Sequence, residues 1–178
     1  YPSDHAQGDV LLRHANQAMY RAKQRGRDTY HLFDPTHDLL LQVRHEQRQR
    51  FMDALKHGEL RLFYQPQVDM RSGQVVGVEA LIRWQHPERG LLSPGQFLST
   101  IDATPLEVDL GEWVLEHALQ QLTQWQNDGI EMPINVNISP THLLVSNFSQ
   151  RLAELLARYP TVSPSLLKLE VLESAAMH

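Results

Sequence analysis

Three stretches of the sequence place polar side chains at alternate positions of predicted strands. Residues two apart in an extended strand face the same side, so each stretch presents one polar set opposite an apolar face. The sets are Glu79, Leu81 and Arg83; Asn135, Asn137 and Ser139; and Lys168, Glu170 and Leu172. Carboxylate and amide oxygens that converge suit Mg²⁺, Mn²⁺ or Ca²⁺ rather than Zn²⁺. The pattern alone therefore predicts an oxygen-lined pocket.

Each of these residues also has a structural interpretation. Glu79 can be a solvated or salt-bridged strand residue, and Glu170 can pair with Lys168 or with a neighbouring arginine. Asn137 or Ser139 can cap the helix that follows, a position that favours both residue types. The ten histidines are scattered without a metal-binding spacing, and we interpret nearly all of them as surface residues.

The second part of the chain alternates strands with helices. Strands are predicted at 60–70, 75–84, 134–139 and 166–173, and helices at 106–128 and 141–159. Ser93 followed by Pro94 and Gln96 indicates a capped helix start. Trp113 and Trp125 fall on the apolar stripe of the first long helix and are predicted core residues. This order predicts a parallel sheet, with a (β/α) barrel as the leading candidate, in which the carboxyl ends of the strands surround the active site.

The first 58 residues have a different pattern. Apolar residues recur at helical spacing over 11–22, and Gly26 follows where a helix end needs a left-handed residue. A short strand is predicted at 29–33. The stretch 34–58 is a strongly charged helix with few apolar positions, which is typical of a connector between domains.

The composition excludes several classes of protein. The chain has 42% hydrophobic and 21% charged residues, as a soluble globular protein does. Its net charge of -5 gives no general attraction to nucleic-acid polymers or anionic membranes. The absence of cysteine excludes disulfides and thiolate metal sites. No apolar run approaches the ~18 residues that a membrane span needs, and the first residues do not resemble a signal peptide.

Several motifs follow one another between residues 64 and 174. In chain order they are Tyr64-Gln65-Pro66, Glu79-Ala80-Leu81-Ile82-Arg83-Trp84, His86-Pro87, Gly90, Pro94 with Phe97, Asn135-Val136-Asn137-Ile138-Ser139 and Leu169-Glu170-Val171-Leu172-Glu173-Ser174. Together these motifs resemble the EAL family of cyclic-di-GMP phosphodiesterases. The resemblance implies an α/β fold, a TIM-like (β/α) barrel of EAL type. It extends over several motifs in the expected order, whereas Glu-Ala-Leu alone would mean little.

A second set of positions lies near the start of the chain, at Leu11-Leu12, Ala15, Ala18-Met19-Tyr20, Ala22-Lys23 and Gly26-Arg27. These positions resemble the closing helix and strand of GGDEF diguanylate cyclase domains. We therefore predict the C-terminal end of a GGDEF domain at 1–33, an interdomain linker helix at 34–58 and the N-terminal part of a truncated EAL domain at 59–178. This tandem order is common in the family.

The resemblance assigns roles to residues that match the family pattern. It implies that Glu79, Asn137 and Glu170 are ligands of Mg²⁺ or Mn²⁺. It places Glu79, Glu170 and Glu173 in the catalytic machinery, with Glu173 ordering a neighbouring loop and the metal site.

The same resemblance implies a substrate pocket. Arg83 is expected to contact a phosphate of the dinucleotide, while Gln65, Leu81 and Pro94 line its pocket. The expected product is linear pGpG.

The sequence departs from the family pattern in two ways. Leu172 stands where the family usually has threonine, and the paired aspartates, the lysine and the last glutamate of the pattern lie beyond His178. The Gly-Gly-Asp-Glu-Phe site of the cyclase would precede residue 1. We therefore expect a fragment of a longer protein, inactive and poorly folded when made alone.

Three functional interpretations of the parent protein follow. It hydrolyses cyclic-di-GMP; or it is a receptor that binds the dinucleotide without cutting it; or its EAL domain is a structural or protein-binding module. The intact Glu79, Asn137 and Glu170 favour the first, and the retained Arg83 and Gln65 weigh against the third. The resemblance also allows a homodimer through the EAL domain and a cytoplasmic location, with any membrane anchor upstream.

Overall fold

The computed structural model describes residues 8–24, 26, 30 and 35–171. It divides into two compact units, Tyr1–Gln47 and Arg48–His178. Apart from residue 30, the strand predicted at 29–33 falls outside the described residues, as do Leu172 and Glu173. In the part that is described, none of the helices is both long enough and apolar enough to cross a bilayer.

The first unit contains the helix that was predicted from the apolar spacing over 11–22. Helix α1 runs from Gly8 to Gln24, and Gly26 has a φ of +112°, a left-handed conformation that residues with a Cβ rarely adopt. Helix α2, Pro35–Lys56, begins in this unit. The periodicity of the sequence therefore predicted both helices.

The end of α2 is part of the core of the second unit. Phe51 and Ala54 are fully buried. The Phe51 ring lies 5.6 Å from that of Trp84 in an edge-on arrangement and 5.7 Å from that of Phe97 in a stacked one. The last turns of this charged helix are therefore buried. The few apolar positions in its sequence had not indicated this burial.

A polar network ties the end of α2 to the sheet. Glu59 accepts hydrogen bonds from Arg50 Nη2 at 2.6 Å and from Trp84 Nε1 at 2.9 Å. Burial acts to raise the pKa of Glu59, but these two hydrogen bonds and the charge of Arg50 outweigh it, so the pKa lies below its ordinary value.

Five strands form one sheet in the order β1-β2-β4-β5, with β3 paired to β2. They are β1 Leu60–Val68, β2 Val75–His86, β3 Gly90–Leu92, β4 Ile134–Ile138 and β5 Leu167–Val171. Strands β2, β4 and β5 are parallel, as predicted. Strands β1 and β3 run antiparallel to β2, because the segments that connect each of them to β2 are too short for a parallel crossover.

In the described part of the second unit, four α-helices follow α2: α3 Leu98–Ile101, α4 Leu106–Asn127, α5 Pro140–Leu143 and α6 Phe148–Ala157. The single helix predicted at 141–159 is wrong, since α5 and α6 are separate. Ser146 and Asn147 lie at the break, and such residues hydrogen-bond the backbone locally and favour helix starts over helix interiors. The predicted start at Ser93 is a 3-10 turn, in which Ser93 N donates to Gln96 Oε1 at 2.8 Å.

The core lies between α4 and one face of the sheet. Alternate residues of β2 and β4 are buried there, namely Val78, Ala80, Trp84, Ile134, Val136 and Ile138. Trp113 and Trp125 are partly buried against this core. Tyr64 packs on Trp125, and burial raises the pKa of Tyr64 to about 12. The opposite set of alternate side chains on β2, β4 and β5 is the polar one.

Candidate functional site

Glu79 and Asn137 meet across the parallel pair of β2 and β4. Glu79 is in register with Asn135, and Asn137, one pleat further along, donates from Nδ2 to Glu79 Oε1 at 2.8 Å. The cap of the following helix is Ser139, whose side chain accepts from His142 N at 3.2 Å. Asn137 is therefore directed to Glu79 rather than to the helix.

Glu170 joins the same polar face from β5. It is in register with Asn137, and its Oε1 accepts from Asn135 Nδ2 at 2.5 Å. The same Nδ2 donates to Gln67 Oε1 on β1 at 2.8 Å. The partner of Glu170 on the neighbouring strand is thus an amide, whereas the structural interpretation from sequence had been an ion pair with Lys168 or with a neighbouring arginine.

A cavity of about 530 Å³ opens beside Glu79 and Asn137. Leu81 and Pro94 also line it, and α3 and α4 contribute an apolar wall that includes Leu98, Ile101, Leu110 and Val114. Four of the residues to which the resemblance assigned a role, Glu79, Leu81, Pro94 and Asn137, are therefore gathered around one cavity. Its volume is in the range of small-molecule sites.

Three other residues named from the sequence, Gln65, Arg83 and Glu170, lie outside this lining. Arg83 Nη1 donates to the carbonyl of Ile82 at 2.8 Å, and its guanidinium lies 5.8 Å from the centre of the Phe63 ring. Gln65 is exposed and faces Glu79 in the β1–β2 register. Glu173 belongs to the residues that the structure does not describe.

Two acidic residues on the cavity wall were missed from the sequence. Asp102 and Glu107 flank the start of α4, and Glu107 Oε2 is buried with no hydrogen-bond partner among the residues that the structure describes. Acidic residues before and within the first turn of a helix are ordinarily interpreted as helix-dipole partners. Only the packing of α3 and α4 on the sheet brings them to the cavity.

On the cavity wall, α4 and α5 pack through Gly111 and His142. His142 is 1% exposed, and its Nε2 lies 3.2 Å from Glu112 Oε1. A Cβ added to Gly111 would lie 2.0 Å from His142 Nδ1. This position therefore requires glycine for space, and the pair fixes the distance between the two helices.

The donor set at the candidate site consists of oxygen atoms. Among the described residues no three acidic or histidine side chains cluster closely enough to hold a metal by themselves. Glu79 and Glu170 supply two carboxylates, and Asn137 supplies an amide oxygen. Such hard oxygens suit Mg²⁺ or Mn²⁺.

The mixed α/β fold is that of the EAL domain family, and the chain belongs to this family, which matches residues 48–178. The fold is that of EAL domain structures, which are TIM-like barrels, so the predicted fold class is confirmed. The chain is 40% identical over 182 residues to the bifunctional diguanylate cyclase/cyclic di-GMP phosphodiesterase MucR of Pseudomonas aeruginosa, a match that covers 99% of this chain and 26% of MucR.

Two further comparisons agree. The chain is 36% identical over 152 residues to the cyclic di-GMP phosphodiesterase PdeR of Escherichia coli, covering 80% of this chain and 21% of PdeR. The solved c-di-GMP complex of the PaMucR phosphodiesterase superposes with a TM-score of 0.69 at 40% identity, covering 75% of this chain and 54% of that one. The chain thus spans about a quarter of MucR and about a fifth of PdeR.

Proposed function

We propose that the full-length protein hydrolyses cyclic-di-GMP to linear pGpG in a reaction that requires Mg²⁺ or Mn²⁺. The observation that carries the proposal is the Glu79–Asn137 pair, which lies on the wall of the 530 Å³ cavity. Family membership supports it, since relatives that carry the same domain are named as cyclic di-GMP phosphodiesterases.

Glu79, Asn137 and Glu170 would hold the metal. The hydrogen bond from Asn137 Nδ2 occupies one oxygen of Glu79. The amide oxygen of Asn137, Oδ1, is not used in this bond and would be the atom that binds the metal. Glu170 Oε1 is likewise engaged by Asn135. A bound divalent cation lowers the pKa of a coordinated water and offsets the negative charge of the phosphodiester.

The remaining residues would bind the dinucleotide. Leu81 and Pro94 give the cavity an apolar surface suited to a base. Arg83 would present a planar pair of donors to a phosphate once it leaves the Ile82 carbonyl. Gln65 lies beside Glu79 in register and would complete the pocket, and Glu173 would order the adjoining loop.

We also propose that residues 1–33 are the end of a GGDEF domain. Helix α1 and its glycine stop support this assignment, and MucR, which matches along nearly the whole chain, is named for both activities. The proposed partner of the full-length protein is cyclic-di-GMP. We further propose that this protein is cytoplasmic and that it forms a homodimer through its EAL domain.

The test is the substitution Glu79→Gln in the full-length protein. It keeps the size of the side chain and its acceptor for Asn137 but removes the charge, so hydrolysis of cyclic-di-GMP should be abolished while the thermal transition stays unchanged. Production of pGpG is followed by chromatography in the presence of Mn²⁺.

The matched control is Glu88→Gln. Glu88 is exposed in the turn after β2 and is not part of the cavity, so its variant should hydrolyse cyclic-di-GMP like the parent. Undiminished hydrolysis by the Glu79→Gln variant would contradict the assignment of Glu79.

A further inference from the structure

Asn135 connects the two sides of the candidate site. It precedes Asn137 by two residues on β4 and faces the same side of the sheet. Its side chain is buried, at 8% exposure, and its Nδ2 donates to both Glu170 Oε1 and Gln67 Oε1. One amide group thus joins residues of β5 and β1, which are separated in the sheet by β4 and β2.

The orientation of this amide follows from its partners. An ionised carboxylate only accepts hydrogen bonds, so the Asn135 atom that faces Glu170 must be the nitrogen. The oxygen Oδ1 is buried and lacks a hydrogen-bond partner among the described residues. An unsatisfied buried acceptor is unfavourable, so the contribution of Asn135 comes from its donor group.

The donor group of Asn135 restrains one oxygen of Glu170. The 2.5 Å bond restrains Oε1 and with it the side chain of Glu170. A ligand that is already ordered loses less conformational freedom when a cation binds.

We propose that Asn135 is a positioning residue that orients the Glu170 carboxylate toward a divalent cation. The inference rests on the proposed function, because it takes Glu170 to be a metal ligand. Loss of such a supporting hydrogen bond typically lowers metal affinity or activity by about 10–100-fold.

The experiment compares the full-length protein with its Asn135→Ala variant. Mn²⁺ binding is measured by calorimetry without nucleotide, and cyclic-di-GMP binding is measured in EDTA, where hydrolysis does not interfere. We expect the Kd for Mn²⁺ to rise by about tenfold or more and the Kd for cyclic-di-GMP in EDTA to stay unchanged, since Asn135 does not line the cavity.

The matched control is Gln67→Ala. This change removes the other acceptor of the same amide but leaves the Asn135–Glu170 bond, so Mn²⁺ affinity should equal that of the parent. If the alanine variant of Asn135 does not give a cooperative melt, Asn135→Ser is measured with the same expectation.

Two results would overturn the inference. One is parental Mn²⁺ affinity in a folded Asn135 variant. The other is an equal loss in Gln67→Ala, which would make Asn135 a bridge between strands rather than a support for Glu170. A parent protein that neither binds Mn²⁺ nor hydrolyses cyclic-di-GMP would instead contradict the proposed function and remove the basis of the inference with it.

Discussion

At the scale of single residues, the site is held by hydrogen bonds between amides and carboxylates. Asn137 holds Glu79, and Asn135 holds Glu170. A hydrogen bond to a charged group contributes about 1.5–3 kcal/mol to stability. Both carboxylates are thus restrained by the protein itself, and a cation that binds them does not have to order them.

Arg83 is the residue whose position differs most from its proposed role. Its guanidinium contacts the Ile82 carbonyl, not the cavity, yet the side chain is long enough to turn toward a phosphate. We predict that Arg83→Ala in the full-length protein weakens cyclic-di-GMP binding by about 1–3 kcal/mol, as expected for the loss of a charge-assisted hydrogen bond. Calorimetry in EDTA measures this change.

The control for the charge is Arg71→Ala. Arg71 lies in the turn between β1 and β2, at the far end of β2 from Arg83, and is exposed. Its loss changes the net charge equally and should leave the affinity unaltered. Equal affinity in the Arg83 variant and the parent would show that Arg83 does not bind substrate.

Strand periodicity predicted which residues share a face, but not their partners. Val78 and Ala80 are buried on one face of β2, while Glu79 between them reaches Asn137. The bond from Asn135 to Glu170 could not be predicted, because it depends on β4 and β5 being neighbours in the sheet. Glu170 and Lys168 do not form an ion pair for a related reason. Residues two apart on one strand lie farther from each other than residues that are directly opposite on neighbouring strands.

At the scale of elements, boundaries were predicted well where the chain has a strong stop. Gly58 and Gly129 end α2 and α4 with φ of +65° and +73°, and both stops were read from sequence. The break between α5 and α6 was missed, because no glycine or proline marks it. The burial of Phe51 was also missed, since the helix pattern alone does not show what packs on its last turns.

The contact between α4 and α5 gives a prediction at this scale. We expect Gly111→Ala to lower the free energy of unfolding by about 1–3 kcal/mol, the usual cost of overpacking, because its Cβ would lie 2.0 Å from the buried His142 ring. Calorimetry of the full-length protein measures the change as a lower transition temperature of the EAL domain.

Gly95→Ala is the matched substitution without a clash. A Cβ at Gly95 meets no atom within 4 Å, so the change should stay within about 0.5 kcal/mol, as is usual at the surface. Similar transition temperatures for the two variants would mean that α4 and α5 can separate to admit the methyl group.

At the scale of the whole molecule, the EAL match and the second compact unit both begin at residue 48. That residue lies inside the helix predicted as a linker, and the buried Phe51 and Ala54 follow it. The chain is about a quarter of the length of MucR. The activity we propose is therefore that of the full-length protein.

The most direct test of the central claim is the reaction itself. The full-length protein is incubated with cyclic-di-GMP and Mn²⁺, and the products are separated by chromatography. The account predicts that linear pGpG accumulates, that EDTA stops the reaction, and that added Mn²⁺ or Mg²⁺ restores it. Binding of cyclic-di-GMP without any pGpG, or hydrolysis that EDTA does not affect, would contradict it.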